Sequence, residues 1–334
     1  MEVNYEGGIQ MKKSLVFALT LLMVGVLAIG VNAQPSGEIV VYSASGPEIT
    51  GPIIELFNKT YPDIKVVKIH AGTPELFSRL RAEKGNPAAD VMFGGAPLLY
   101  DREADLFTPF VHPHKEHFAT NDPDNIWSPF TIFVQPLVVN TNLVKPEDYP
   151  ETVKEVLENG PKWKANGGIA LAAPDTSSTG WTIVSGIATA YGWDFIEELV
   201  PYVSVTNGSD AMFNAVKDGE LPIGWINEDL GYQWESAGVG VKLIYPSDVS
   251  TIQMDAYGLV KNGPNPELAK IFLEFLGTKE VHEVASQIVK RRSVRTDVEP
   301  PGGLPELEGL NLFYASEPRD VVTDRFNAIV ERAQ

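Results

Sequence analysis

Ile39-Val40-Val41-Tyr42-Ser43-Ala44-Ser45-Gly46 is an apolar, β-branched run that stops at hydroxylated and small residues. It reads as a strand. The pattern over 52–59 that follows, with Ile53, Leu56 and Phe57 on one face, reads as a helix. The same junction recurs twice. Val66-Val67-Lys68-Ile69 runs into Ala71-Gly72-Thr73-Pro74-Glu75, and Ile169-Ala170-Leu171 runs into Pro174-Asp175-Thr176-Ser177-Ser178-Thr179-Gly180. A helix start offers unpaired backbone N–H groups and a partial positive charge. Hydroxyls and glycines let a small anion approach that end closely. One such junction is an ordinary N-cap. Three of them at the carboxyl ends of apolar strands point to a small-ligand site. Ser43, Ser45, Thr73, Ser177, Ser178, Thr179 and Gly180 are therefore candidate ligand contacts.

Strand-like and helix-like runs alternate from Glu38 onward, which predicts an α/β fold with mainly parallel strands. Further strands are expected over 90–93, 222–226 and 241–245, and helices over 74–83, 181–191, 211–217, 266–276, 279–289 and 320–332. The apolar run 131–139 is too long for a simple edge strand and reads as a first crossing between two lobes. The run 255–260 reads as the crossing back. This gives residues 34–136 as the first part of lobe 1, 137–253 as lobe 2, and 254–334 as the return to lobe 1 with its C-terminal helices. Two crossings make a two-strand hinge, and the cleft between the lobes is the natural ligand site.

Met11-Lys12-Lys13 precedes an apolar run from Leu15 to Val31, and Val31-Asn32-Ala33 has the small-x-small form of a cleavage site. Residues 1–33 are expected to be an upstream extension and a signal peptide cleaved near Ala33. The chain has no cysteine, which excludes disulfides, thiolate chemistry and a lipid anchor on an N-terminal cysteine. A diffusible periplasmic protein is expected. The net charge is −18, and loss of Glu2, Glu6, Lys12 and Lys13 with the signal leaves it unchanged. Such an acidic chain is not expected to bind nucleic acid or anionic membranes unspecifically. The roughly 300 mature residues suit two lobes rather than one small core.

The strand ending in Val41-Tyr42-Ser43 is one of several segments that carry a family resemblance. The others are Ala71-Gly72-Thr73-Pro74-Glu75-Leu76, Arg79-Leu80-Arg81-Ala82-Glu83-Lys84, Asn86-Pro87-Ala88-Ala89-Asp90-Val91, Asn140-Thr141-Asn142-Leu143-Val144, Lys217-Asp218-Gly219-Glu220 with Pro222-Ile223-Gly224, and Arg291-Arg292-Ser293-Val294-Arg295-Thr296-Asp297-Val298. The chain resembles the periplasmic solute-binding proteins of ABC importers, in the branch of ferric-ion, 2-aminoethylphosphonate and sugar-phosphate binders. The resemblance covers essentially the whole mature chain. It implies a two-lobed type II periplasmic binding fold, each lobe a mixed, mainly parallel sheet flanked by helices. It also implies closure on a ligand and delivery to an inner-membrane permease, with a monomer and no cofactor expected.

The ligand stays open between two chemistries. Ferric binders of this branch carry adjacent tyrosines after a strand matching 222–226, and here the corresponding places hold Asp229 and Leu230, with Tyr232 alone. An iron site would have to use Glu75, Glu228, Asp229 and Tyr232, because ferric ion takes hard anionic oxygens. A phosphate or phosphonate would sit on Ser177, Ser178, Thr179 and the amides before Trp181, completed by Thr73, Ser43 and Ser45 from the other lobe. Glu228 and Asp229 would then meet an ammonium or sugar hydroxyls at the far end, and Trp225 and Tyr257 would supply an aromatic wall. Carboxylates, other oxyanions and polyamine-like solutes remain as alternatives.

Plainer readings stand beside these. Glu228 and Asp229 also fit an exposed turn, Trp225 a core position, and Glu75 a first-turn acid. Asn207-Gly208-Ser209-Asp210 reads as a turn with an N-cap. His112-Pro113-His114-Lys115-Glu116-His117 holds three of the five histidines and reads as a solvated loop. Lys290-Arg291-Arg292 reads as a solvated helix end or a permease contact. A hydrolase is disfavoured: there is no Gly-x-Ser-x-Gly elbow, P-loop or His-Glu-x-x-His.

Overall fold

The computed structural model describes residues 34–333. The upstream extension and signal peptide expected over 1–33 lie outside the described residues.

The first lobe opens with β1 (Gly37–Ser43), α1 (Pro47–Thr60), β2 (Ile64–His70), α2 (Thr73–Ala82), β3 (Val91–Phe93), α3 (Pro97–Arg102), β4 (Phe107–Thr108) and β5 (Ser128–Gln135). β1 lies between β2 and β3, parallel to both. Its alternation decides its two faces. Ile39 and Val41 pack on one side with Ile53 and Phe57 of α1, and Tyr42 packs on the other with Leu76, Phe77 and Leu80 of α2. Full burial of a side chain such as Phe57 contributes about 1.5–3 kcal/mol. The α1 helix starts five residues before the Pro52 expected to open it, because Pro47 directly after Gly46 takes the first-turn place.

The long apolar run divides at Pro136. β5 belongs to the first sheet, and β6 (Leu137–Asn140) to a second. The second lobe continues with α4 (Val153–Glu158), α5 (Gly160–Ala165), β7 (Ile169–Ala172), α6 (Ser178–Tyr191), α7 (Trp193–Leu199), β8 (Val203–Thr206), α8 (Ser209–Lys217), β9 (Ile223–Trp225), α9 (Glu228–Ser236) and β10 (Val241–Ile244). Its sheet order is β10-β6-β9-β7-β8.

The chain returns in β11 (Ser250–Val260), which begins in the first sheet a few residues earlier than expected and pairs antiparallel with β5 from Thr251↔Gln135 to Tyr257↔Ser128. β5 and β11 thus form the two-strand hinge. After them come α10 (Pro266–Leu276), α11 (Lys279–Val284), β12 (Arg292–Ser293), β13 (Leu312–Phe313) and α12 (Arg319–Ala333). The first sheet runs β12-β5-β11-β3-β1-β2, with β4 and β13 also on β11. Both sheets are mixed. Parallel pairs arise mainly in the βαβ units, and antiparallel pairs where the chain crosses between lobes.

Two expectations about the return differ from the structure. The closing helix α12 packs Val322, Phe326 and Ile329 into the second lobe's core beside Trp163 and Trp181, not onto the first lobe. The helix expected over 279–289 stops at Val284, passes through a one-turn π segment at Ala285–Val289, and ends on left-handed Lys290 (φ 70°). That turn sends Arg291, Arg292 and Arg295 inward, so all three are buried and the solvated-helix-end reading is corrected. Among the described residues no helix is long and apolar enough to cross a membrane.

Candidate functional site

A cleft of about 540 Å³ lies between the lobes, with the hinge strands at its floor. Five helices aim their N-termini at it. The N-cap residues Gly46 (α1), Gly72 (α2), Ser177 (α6), Gly208 (α8) and Asn227 (α9) all line the cleft. Four of the five carry no side-chain cap, which leaves first-turn N–H groups for solvent or a ligand. The three junctions of the sequence therefore converge. Ser45, Thr73, Glu75, Ser177, Ser178 and Thr179 line one cleft.

Their side chains have different tasks. Ser177 Oγ accepts from Gly180 N (2.8 Å) and lies 2.6 Å from Ser209 Oγ, so it caps α6 and ties it to α8. Ser178 Oγ is buried without a hydrogen-bond partner. A buried hydroxyl left unpaired costs about 1–3 kcal/mol, and Ser178 is among the residues lining the cleft. Thr73 is set by Gly95. Gly95 has φ 90°, and a Cβ there would lie 2.6 Å from the Thr73 methyl. Gly95 N donates to Asp255 Oδ1 (3.1 Å).

The floor holds charges that the sequence did not reveal. Arg291 stacks its guanidinium 3.7 Å over Phe133 and reaches Asp255 Oδ2 and Asp229 Oδ2, each at 2.9 Å. Arg291 Nε and Asp229 Oδ2 form a buried ion pair at 2.9 Å, although its angle falls short of a well-aligned hydrogen bond. Burial pushes the Asp229 carboxyl above the usual carboxylate range, and Arg291 opposes the shift. Among the described residues, Arg291 is the one Lys or Arg in a lining that also holds Glu48, Glu75, Asp175, Asp210, Asp229 and Asp255. His70 at the end of β2 and Asp210 at the start of α8 meet at the mouth. Asp210 belongs to the Asn-Gly-Ser-Asp stretch read as a turn with an N-cap. His70 occupies the strand-end position that Ser43 occupies on β1, which was the available signal.

Several expected contacts sit elsewhere. Ser43 donates to Ser45 O (2.8 Å) and accepts from Ser45 N (3.2 Å), shaping the turn behind the cleft wall. Gly180 is needed for packing, since a Cβ there would collide with the Ala172 carbonyl. Glu228 is fully buried and fully used. It accepts both Arg292 bonds (2.8 and 2.9 Å), Val134 N (2.8 Å) and the Tyr245 hydroxyl (3.1 Å), forming an interlobe tie behind the floor. Trp225 lies in the second lobe's core. Tyr257 lies in the first lobe's core with its hydroxyl 3.0 Å from His112 Nε2, so neither forms an aromatic wall. His112 is the exception in a loop that otherwise reads as expected: it is buried, while Pro113, Lys115 and Glu116 are exposed. Tyr232 packs beside Gly303 and under Lys290, outside the cleft. The four residues of the iron alternative therefore do not converge. Among the described residues no cluster of His, Cys, Asp or Glu is placed to hold a metal.

Residues 42–283 match the bacterial extracellular solute-binding protein family. An uncharacterized protein of Haemophilus influenzae is 25% identical over 293 residues, covering 82% of each chain. Among solved structures, the periplasmic binding protein AfuA from Actinobacillus pleuropneumoniae, with fructose-6-phosphate bound, superposes with a TM-score of 0.77 at 22% identity, covering 89% of this chain and 98% of that one. Iron-bound HitA from Pseudomonas aeruginosa gives 0.69 at 16% identity, covering 90% and 99%.

Proposed function

This chain belongs to the bacterial extracellular solute-binding proteins, the periplasmic components that deliver a solute to an ABC permease, and from that premise we propose that its solute is a small phosphorylated or phosphonate anion held between the lobes. The observation that carries this reading is the convergence of five helix N-termini on one cleft beside the unpaired, buried Ser178 hydroxyl. Thr73, Ser45 and the α2 amides meet the anion from the first lobe, and Ser178, Thr179 and the α6 amides from the second. Asp229 lines the cleft as part of a buried ion pair with Arg291 (2.9 Å), and this pair receives an ammonium or hydroxyl donor from the other end of the solute. The fructose-6-phosphate bound to AfuA is a solute of this bipolar kind.

Ligand contacts on both lobes favour the closed arrangement over the open one, which is how capture is coupled to a shape the permease reads. The protein acts as a monomer, is exported by a signal peptide cleaved near Ala33, and carries out no chemistry on its solute.

A thermal-shift screen of protein refolded free of co-purified ligand tests this reading. A solute at one hundred times its Kd stabilises by about 2.7 kcal/mol. 2-Aminoethylphosphonate or sugar phosphates should raise the melting temperature and ferric citrate should not. A rise with ferric citrate alone would overturn the assignment.

A further inference from the structure

The lobes touch across the cleft mouth at a titratable pair. His70 ends β2 in the first lobe, and Asp210 stands in the first turn of α8 in the second. His70 Nε2 is 3.5 Å from Asp210 Oδ2. The other ring nitrogen, Nδ1, is 3.0 Å from the carbonyl oxygen of Ser43, its register partner on β1. A carbonyl oxygen only accepts, so Nδ1 carries a proton. In the neutral ring Nε2 would then turn a lone pair toward a carboxylate. Only the imidazolium donates at both ends.

Separation of the lobes leaves the Ser43 bond intact, because both residues belong to the first lobe, and exposes Nε2 to water. The doubly protonated ring is therefore worth more closed than open. The Asp210 contact holds the His70 pKa above its ordinary value, and the same contact holds the Asp210 carboxyl below its own. Lys68 on the same strand opposes the cation. Glu48 of α1, Glu75 of α2 and Asp175 ahead of α6, all lining the cleft, favour it. The mouth is also narrow next to this pair, where a Cβ on Gly72 would lie 3.1 Å from the Thr176 carbonyl of the other lobe.

We propose that His70 and Asp210 form a proton-dependent latch: protonated His70 ties the lobes together, and its deprotonation frees the mouth. The closed state is then favoured at low pH, and the preference is lost as pH rises through the His70 titration. The closed-to-open ratio changes about tenfold for every pH unit separating the His70 pKa in the two states.

The absence of native cysteine makes the test direct. Spin labels on Asn58→Cys in α1 and Glu220→Cys after α8, both exposed positions on opposite lobes, report the interlobe distance in ligand-free protein. Raising the pH from 5.5 to 8.5 should deplete the short-distance population. His70→Gln and Asp210→Asn should each abolish that change. Both side chains are partly exposed, so neither variant removes core packing. Distance distributions that are identical at the two pH values in the parent protein would overturn the latch. So would a His70→Gln variant that keeps the full pH response.

Discussion

Ser177 and Ser178 are adjacent and chemically identical, yet truncation should destabilise the fold at Ser177 and not at Ser178. Ser177 Oγ caps α6 through Gly180 N at 2.8 Å and meets Ser209 Oγ at 2.6 Å. Loss of an N-cap costs about 1 kcal/mol, so Ser177→Ala should lower the unfolding free energy by at least that much. Ser178 Oγ is buried with no partner. Ser178→Ala removes an unpaired polar atom and should leave stability unchanged or raise it by up to about 1 kcal/mol. Binding should behave otherwise. A hydrogen bond to a charged oxygen is worth about 1.5–3 kcal/mol, so Ser178→Ala should weaken the solute roughly 10- to 150-fold. Urea unfolding without ligand and a calorimetric titration with the most stabilising organophosphate measure the two quantities separately. If Ser178→Ala destabilises the protein as much as Ser177→Ala, or binds with unchanged affinity, the reasoning from the unpaired hydroxyl fails.

Arg292→Ala should cost about 3–5 kcal/mol in urea unfolding, because it leaves the fully buried Glu228 without its bidentate partner. Gly95→Ala should lower both stability and affinity, since it strains a residue at φ 90° and drives a Cβ to 2.6 Å from the Thr73 methyl; parallel unfolding and binding curves check this. Acid should destabilise the fold through buried neutral histidines. His112 Nδ1 accepts from His114 N (3.1 Å) while Nε2 donates to Leu273 O (2.9 Å), and burial lowers its pKa to about 4. The unfolded chain takes up this proton near the ordinary value of 6.5. Stability is thus complete above that value and falls as pH drops, by roughly 3 kcal/mol near pH 4. His282, lowered to about 3 by burial, adds to the trend. Urea midpoints between pH 7 and 4 should show the decline, reduced in His112→Gln.

Local patterns were legible where local physics decides them. The helix Pro266–Leu276 has the bounds its periodicity implies, and the strand-to-helix junctions at Ser45 and Thr73 lie together because β1 and β2 are parallel neighbours that end on one edge of the first sheet, while the Ser177 junction comes from β7 of the second sheet and meets them across the cleft. Partners distant in sequence were not legible. Arg291 and Arg292 read as a solvated basic run because the acids that bury them stand 36 and 64 residues upstream. Glu228 and Asp229 look equivalent in a helix's first turn. Their neighbours separate them: Glu228 is saturated by Arg292, Val134 and Tyr245 behind the floor, and Asp229 lines the cleft as the ion-pair partner of Arg291. The destination of α12 was hidden for the same reason, since its apolar face fits either lobe and only the three-dimensional path selects the second.

The most direct test of the central claim is a calorimetric titration of refolded protein with 2-aminoethylphosphonate, a sugar phosphate, inorganic phosphate and ferric citrate. A phosphorus-bearing anion should bind with one-to-one stoichiometry, more tightly when it carries an amino or hydroxyl group for Asp229 than as inorganic phosphate, and Asp229→Asn should erase that preference. Saturable binding of ferric citrate with no heat from any phosphorus compound would contradict the account.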